Sequence, residues 1–317
     1  SDKNCSRRVK GMKKIPLILF ATLLFFISSC CHAKKTTTQY PVVLVHGLMG
    51  FDNLLGLDYF YNIAESLSQD GTLVFTPAVS AINSSEVRGE QLLTHVKAIL
   101  ALTGAKKVNL IGHSQGAQTV RYVASVRPDL IASVTSIGGA NYGSGIIDLI
   151  SQKLPANSQA EHTARFIFDG VGEVISLLSG HSQLPQDTLG ALNSLSTQGA
   201  DVFNQKYPEG LPENKCDQGQ LVAENGVYYF SWSGTAALSN ILDPTDLPML
   251  LGSLLILGKD DGLVSRCSSH LGHVIKDDYD MNHLDEINQF IGLHNFREID
   301  PIELYRQHVK RLQELGL

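Results

Sequence analysis

The stretch Lys106–Val123, KKVNLIGHSQGAQTVRYV, decides how the rest of the chain is read. A short apolar and β-branched run, Val108 to Ile111, enters Gly112-His113-Ser114-Gln115-Gly116. A helical pattern with Val120 and Val123 follows, and Pro128 closes it. Strand, G-x-S-x-G and helix together make a nucleophile elbow. The glycines let the two backbones pass closely around a sharp turn, and the serine at its apex is held strained with its hydroxyl exposed. The five-residue pattern alone arises by chance in a glycine-rich chain, so the flanking strand and helix give it its weight. Ser114 is the candidate nucleophile.

Upstream, Tyr40-Pro41-Val42-Val43-Leu44-Val45 is a continuous apolar run suited to a buried parallel strand, and it ends in His46-Gly47-Leu48-Met49-Gly50. Gly47 allows close approach there, and the N–H of Leu48 is a candidate oxyanion donor. Ile63–Leu67 reads as a short helix and Thr72–Thr76 as a strand. Glu86–Leu102 reads as a helix with Leu92, Leu93, Val96, Ile99 and Leu100 on one face, stopped by Gly104. After the elbow, Ile131–Ile137 is another buried strand. This alternation predicts a doubly wound α/β domain, mostly parallel, with helices on both faces of the sheet.

The alternation breaks after Asn141. Residues 142–200 are rich in Gly, Ser and Gln, with apolar clusters at Ile146-Ile147, Leu149-Ile150, Phe166-Ile167-Phe168 and Leu177-Leu178. They predict an inserted helical cap or lid whose apolar face covers the serine in water. Strands are expected again at Val227–Trp232 and Ser253–Leu257, with a last amphipathic helix over Ile302–Leu312.

The Ser253–Leu257 run leads into Gly258-Lys259-Asp260-Asp261-Gly262, where the acid of a Ser, Asp, His series belongs. Asp261 is preferred because a tight turn at Gly262 would point it inward, with Asp260 as the competitor. Five histidines follow. His308 lies on the last helical pattern and is expected at the surface. His270 and His273 are spaced as a metal pair but lack a third ligand. His283, in the polar loop Tyr279–Asp285, is best placed as the base, with His294 the remaining candidate. Asp285 and Gln289 share a helical face at i, i+4. With Asp243 they read either as a solvated face or as oxygen ligands for Ca²⁺.

The ends of the chain narrow its setting. Met12-Lys13-Lys14, the apolar run Ile15–Ile27 and a small-residue stretch ending at Ala33 have the form of a secretory signal peptide over residues 12–33. Residues 1–11 read as an over-long start. Removing residues 1–33 takes away six basic residues and one acidic residue, moving the net charge from −6 to −11. That balance argues against nucleic acid and against attraction to anionic membranes. Cys216 and Cys267 then remain, and an exported chain most simply joins them. The loop closed is worth about 4 kcal/mol in the chain-entropy account. Ile27-Ser28-Ser29-Cys30 offers the alternative of a lipid anchor at Cys30.

The segments YPVVLVHGLMGFDN (Tyr40–Asn53), SEVRGEQLL (Ser85–Leu93), VNLIGHSQG (Val108–Gly116), RYVASVRPDLIA (Arg121–Ala132), DGLVSRCSSHLG (Asp261–Gly272) and MNHLDEINQ (Met281–Gln289) resemble the bacterial true lipases of family I. These are the foldase-dependent secreted triacylglycerol lipases of the Pseudomonas and Burkholderia type. The resemblance implies an α/β-hydrolase fold and a Ser114, Asp261, His283 triad with oxyanion N–H groups at Leu48 and Gln115. It also implies structural Ca²⁺ on Asp243, Asp285, Gln289 and the carbonyl of Leu293, and a Cys216–Cys267 disulfide. Partners so implied are a lipid ester substrate at an oil–water interface and a lipase-specific foldase chaperone; a monomer is expected. The chain departs from the pattern at Gln115, where some members carry His, at Ala117, and at Asn141-Tyr142.

Overall fold

Parallel strands buried on both faces need apolar residues throughout, and four consecutive ones at Val42–Val45 form the first strand, β1. The computed structural model describes residues 37–54, 56–152, 181, 183–289 and 291–317. The expected leader, Cys30 and much of the expected cap lie outside these residues. A two-residue hairpin, β2 (Asn53–Leu54) and β3 (Leu57–Asp58), precedes helix α1 (Ile63–Gln69). Strand β4 (Val74–Phe75) and helix α2 (Ser85–Thr103) follow. The Ser84 hydroxyl caps α2 by accepting from the Val87 N–H, and Gly104 ends it at φ 70°. Next come β5 (Val108–His113), the elbow helix α3 (Gln115–Val126) and β6 (Ile131–Ile137).

Helix α4 (Gly145–Gln152) opens the expected cap, and α5 (Thr188–Leu195) and α6 (Thr197–Lys206) close it. Strand β7 (Tyr228–Gly234), helix α7 (Asp246–Ser253), strand β8 (His273–Tyr279) and helix α8 (Pro301–Glu314) complete the described elements.

The main sheet has the order β4-β1-β5-β6-β7-β8, and every neighbouring pair is parallel. The chain runs from β1 outward to β4 and then returns to β5 on the other side of β1. The carboxyl ends of β1 and β5 therefore diverge at a topological switch point, the position where ligands bind in open α/β sheets. Apolar clusters cover both faces. One joins Val43, Val45, Leu92, Val96, Leu110 and Val120. The other joins Leu44, Ile63, Ile111, Trp232, Tyr305 and Val309.

Two expectations are corrected here. No strand forms over Ser253–Leu257: Ser253 ends α7, and Leu254, Leu255 and Leu257 are exposed, Leu257 at 98%. Pro248 sits in the first turn of α7, where a missing N–H costs nothing, so the run is helical and then turns. The sheet position beside β7 is taken by β8, HVIKDDY, whose charges suit an edge strand. The second correction is His308, which is buried and not at the surface. Its Nε2 lies 2.7 Å from the Thr135 hydroxyl, and its ring meets Phe230 and Trp232 edge-on.

Candidate active site

The elbow requires both of its glycines. A Cβ on Gly112 would stand 2.3 Å from the Gly116 carbonyl oxygen, and one on Gly116 would stand 2.3 Å from that of Val45. Ser114 between them has φ 57° and ψ −124°, a strained conformation for a residue with a side chain. Its backbone N–H donates to the Ile137 carbonyl at 3.0 Å, and its carbonyl accepts from the Ala117 N–H at 3.1 Å. Gln115 is the first residue of α3, so its N–H has no intrahelical acceptor and lies at the positive end of the helix dipole.

The loop after β1 lies against this turn. A Cβ on Gly47 would be 2.7 Å from Ser114 Cβ, which puts Leu48 one residue beyond the contact. The half-buried Leu48 side chain packs towards Ala81 and Ile82 on one side and Ala140, Leu195 and Val264 on the other. The Gly47 N–H donates to the Tyr59 hydroxyl at 3.0 Å. Behind the loop, burial and the Arg88 guanidinium bring the His46 imidazole down to about 3, so this ring is neutral.

Asp261 and His283 meet directly. His283 Nδ1–H donates to Asp261 Oδ2 at 2.8 Å, and the His283 backbone N–H donates to the Asp261 carbonyl, also at 2.8 Å. The other carboxylate oxygen of Asp261 accepts from the N–H groups of Leu263 (2.9 Å) and Val264 (2.7 Å). A proton on Nδ1 leaves the lone pair on Nε2, the tautomer a general base needs. Asp260 turns away, towards the Ser253 hydroxyl (3.0 Å) and the Gly262 N–H (2.8 Å). The histidine loop is brought to the elbow by His113, the residue before Ser114. Its ring centroid lies 4.5 Å from that of His283, and its Nε2 is 2.9 Å from the His283 carbonyl oxygen.

A further carboxyl group, Glu286, faces the same ring at 3.9 Å from His283 Nδ1 and 3.4 Å from His113 Nε2. Burial, and then the charge of Asp261, push the Glu286 carboxyl well above the usual range. Both causes favour the protonated form of this carboxyl, and its Oε1 accepts from the Gly234 N–H at 2.6 Å. His113, His283 and Glu286 are close enough to ligate a metal together. Three of their four ring nitrogens, however, are already committed to Tyr59, the His283 carbonyl and Asp261, which leaves His283 Nε2 alone. His270 and His273 do not pair either: His270 is buried against Asp277 at 2.7 Å, whereas the His273 side chain is exposed on β8.

Of the residues expected to hold calcium, Asp243 and Asp285 lie near each other and near Asp246 in a separate acidic group. Asp243 Oδ2 and Asp285 Oδ1 are buried and receive no hydrogen bond. Burial first, with repulsion from Asp243 and Asp246, raises the Asp285 carboxyl to about 7. Two buried carboxylate oxygens without donors are what a hard cation satisfies, so the donor set fits Ca²⁺. The Gln289 amide nitrogen donates to the carbonyls of Asp58 (2.7 Å) and Tyr59 (3.1 Å). Asn240, near Asp243 in the chain, donates to the His294 carbonyl (2.9 Å), one residue past Leu293. The expected helical face joining Asp285 to Gln289 is absent: a short 3₁₀ turn over Asp285–Ile287 ends at Asn288, φ 61°. Cys216 and Cys267 are joined by a disulfide, with Cα atoms 4.6 Å apart.

The alpha/beta hydrolase fold family matches residues 40–270 of the chain. A triacylglycerol lipase of Vibrio cholerae is 54% identical over 314 residues, covering 96% of this chain and all of the relative. Triacylglycerol lipases of Pseudomonas fragi and Burkholderia plantarii are 44% and 38% identical, covering 89% and 96% of this chain and 99% and 94% of their own. The chain belongs to the bacterial true lipases. Among solved structures, the Staphylococcus hyicus lipase superposes with a TM-score of 0.59 at 18% identity, covering 87% of this chain and 97% of its own. Lipase 1 from Pelosinus fermentans gives 0.59 at 18%, covering 88% and 100%. These likenesses are to the fold alone.

Within this lipase fold, sequence reading passed over Tyr59, Arg88, His113 and Glu286, all buried around the elbow. Glu286 had one legible signal: it stands three residues after His283, within reach of the same turn.

Proposed function

We propose that the chain is a secreted serine lipase that hydrolyses long-chain triacylglycerols through an acyl-enzyme. Ser114 Oγ attacks the ester carbonyl while His283 Nε2 takes its proton, and Asp261 holds the ring and favours the imidazolium. The N–H groups of Leu48 and Gln115 receive the developing oxyanion, each worth about 10²- to 10³-fold in rate if comparable to known donors. His283 then protonates the leaving glycerol oxygen, and water repeats the cycle on the acyl-enzyme. The observation that carries this reading is the 2.8 Å Asp261–His283 hydrogen bond beside a serine strained at φ 57°.

Calcium, when bound, supplies two positive charges to Asp243 and Asp285, with Gln289 and the Leu293 carbonyl as further ligands; its role is structural. Asp285 follows His283 by two residues and accepts from the Asn282 N–H at 2.9 Å, so an ion held there would steady the base's loop and would have no place in bond breaking. Export is supported by the leader pattern at residues 12–33 and by the disulfide. A foldase partner rests on family membership.

A lipid surface as the place of action is supported by α7 and its flanks. Ile241 is 92% exposed, and Leu242, Leu247, Leu251, Leu254 and Leu257 are exposed with it. This apolar face adjoins the acid's loop, since a Cβ on Gly252 would meet the Gly262 carbonyl oxygen at 2.1 Å. The deciding experiment is an acyl-chain-length profile on soluble and emulsified esters, with and without calcium, beside a Ser114→Ala control. A sharp optimum at short soluble esters would make the chain a carboxylesterase, and an active Ser114→Ala protein would remove the mechanism.

A further inference from the structure

Arg88, in α2, is fully buried, and among the described residues its guanidinium bonds only neutral groups. Nη1 donates to the Gly47 carbonyl at 3.0 Å and to Gln115 Oε1 at 3.0 Å. Nη2 donates to the His46 carbonyl and lies 3.4 Å from His46 Nδ1. A cation placed here at the cost of desolvation calls for a purpose beyond packing.

The acceptors show what the group holds. In a planar trans peptide the carbonyl and the following N–H point in opposite directions. Fixing the Gly47 carbonyl on Arg88 therefore turns the Leu48 N–H away from the core. The preceding peptide is held as well, its His46 carbonyl on Arg88 and its Gly47 N–H on the Tyr59 hydroxyl. The Gly47 carbonyl also accepts from the Gly50 N–H at 3.2 Å and from His46 Nδ1–H at 2.9 Å, and of these three donors Arg88 alone carries a charge and reaches on to Gln115. The same Nη1 also reaches Gln115, whose amide nitrogen donates to the Asn83 carbonyl at 2.8 Å and lies 3.3 Å from the Ser85 hydroxyl. One nitrogen thus ties the peptide that carries the Leu48 N–H to the side chain of Gln115.

We propose that Arg88 is the positioning residue of the oxyanion hole. It locks the Leu48 peptide and Gln115 in one arrangement and places a fixed positive charge behind the Leu48 peptide, on the side away from the substrate. The inference rests on the reading of Ser114 as nucleophile with Leu48 and Gln115 as donors. Negative charge on the oxygen develops in the transition state, so the loss on removing Arg88 falls on kcat and leaves KM little changed.

The test uses Arg88→Met, which matches the bulk without charge or donors, and Arg88→Lys, which keeps the charge but loses the fork. Folded concentration is measured by thermal melting and near-UV circular dichroism. Rates on a soluble p-nitrophenyl ester, per folded molecule, are compared with affinity for an alkyl boronic acid, whose serine adduct places an anionic oxygen in the hole. Arg88→Met should lose about 10²- to 10³-fold in kcat. Arg88→Lys should lose less, with KM within a few-fold of wild type and boronate affinity falling in step with kcat in both. If Arg88→Met does not fold, the Arg88→Lys comparison decides alone. Wild-type kcat and boronate affinity per folded molecule in the folded variants would overturn the proposal, as would a loss confined to KM or to melting temperature. Failure of the underlying reading is separate: Ser114→Ala would stay active and wild type would resist fluorophosphonate labelling at Ser114.

Discussion

Two carboxyl groups face His283, and their distances set what happens when one is removed. Asp261 Oδ2 lies 2.8 Å from His283 Nδ1 and Glu286 Oε2 lies 3.9 Å from it. At an effective dielectric of about 20, attraction to an imidazolium is about 5.9 kcal/mol at the first distance and about 4.3 kcal/mol at the second. The difference, about 1.6 kcal/mol, is roughly 15-fold in rate. Once Glu286 is ionised, at the alkaline end of the range, Asp261→Ala should lose about 15-fold in kcat/KM and more at lower pH, whereas Asp261→Ala/Glu286→Gln should approach the roughly 10⁴-fold loss of a triad without its acid at every pH. The substitute must first ionise. Burial is the larger cause of the raised Glu286 value and the Asp261 charge the next, so Asp261→Ala removes one of the two and leaves the other. Its activity should consequently climb more steeply with pH than that of wild type. Glu286→Gln alone should stay within a few-fold, because burial and the Asp261 charge already favour the uncharged carboxyl that the amide imitates. Initial rates on a soluble ester from pH 5.5 to 9.5 for the four proteins make the measurement. Equal activity of Asp261→Ala and the double variant would show that His283 gains nothing from Glu286, and an undiminished Asp261→Ala would remove Asp261 from the triad.

The remaining predictions concern stability and surface. Calcium at a hundred times its dissociation constant adds about 2.7 kcal/mol; in a chain of this size its chelation should lower Tm by about 4–5 °C. Asp285→Asn should melt low and ignore the chelator, so an unchanged wild-type Tm would remove the ion. Burial, then Arg311, bring His308 down to about 3. An unfolded chain takes up that proton near pH 6.5, so the stability is complete above 6.5 and falls by about 1.4 kcal/mol per pH unit towards 3. Urea unfolding at pH 7.5 and 5.0 should thus show His308→Gln about 2 kcal/mol less acid-sensitive than wild type, and parallel losses would contradict this. Leu251→Ser/Leu254→Ser should weaken adsorption to emulsified triacylglycerol with kcat on soluble esters kept, and equal adsorption would free α7 of that role.

What could be read from sequence were positions where one residue type alone is sterically allowed. Gly112 and Gly116 mark the crossing of β5, α3 and β1 because a methyl group at either would overlap a backbone oxygen. Continuous apolar runs similarly revealed β1, β5 and β6, which are buried on both faces. The same rule failed at Ser253–Leu257, an apolar run that lies at the surface, and at β8, a sheet strand whose edge position lets it carry Lys276, Asp277 and Asp278. Arg88 was illegible for a related reason. On a helical pattern an arginine reads as solvent-facing, and only the fold shows it turned inward onto the carbonyls of His46 and Gly47.

The placement of charge around Ser114 follows from the same buried groups. Tyr59 accepts from the Gly47 N–H, so its own proton goes to His113 Nδ1 at 2.8 Å. The other nitrogen of His113 then carries hydrogen and donates to the His283 carbonyl at 2.9 Å. Burial and the neighbouring His283 hold His113 well below the usual imidazole range, so this relay stays neutral. A cation at His113, with ring centroids 4.5 Å apart, would oppose the imidazolium that His283 must become. The chain thus joins the oxyanion loop to the base's loop through a neutral Tyr59–His113 pair. Its fixed cation, Arg88, stands behind Gly47, where the field favours the oxyanion. In the proposed mechanism, basicity at His283 and electrophilic stabilisation at Leu48 are in this way separated, although the Gly47 N–H, through Tyr59 and His113, links the two loops.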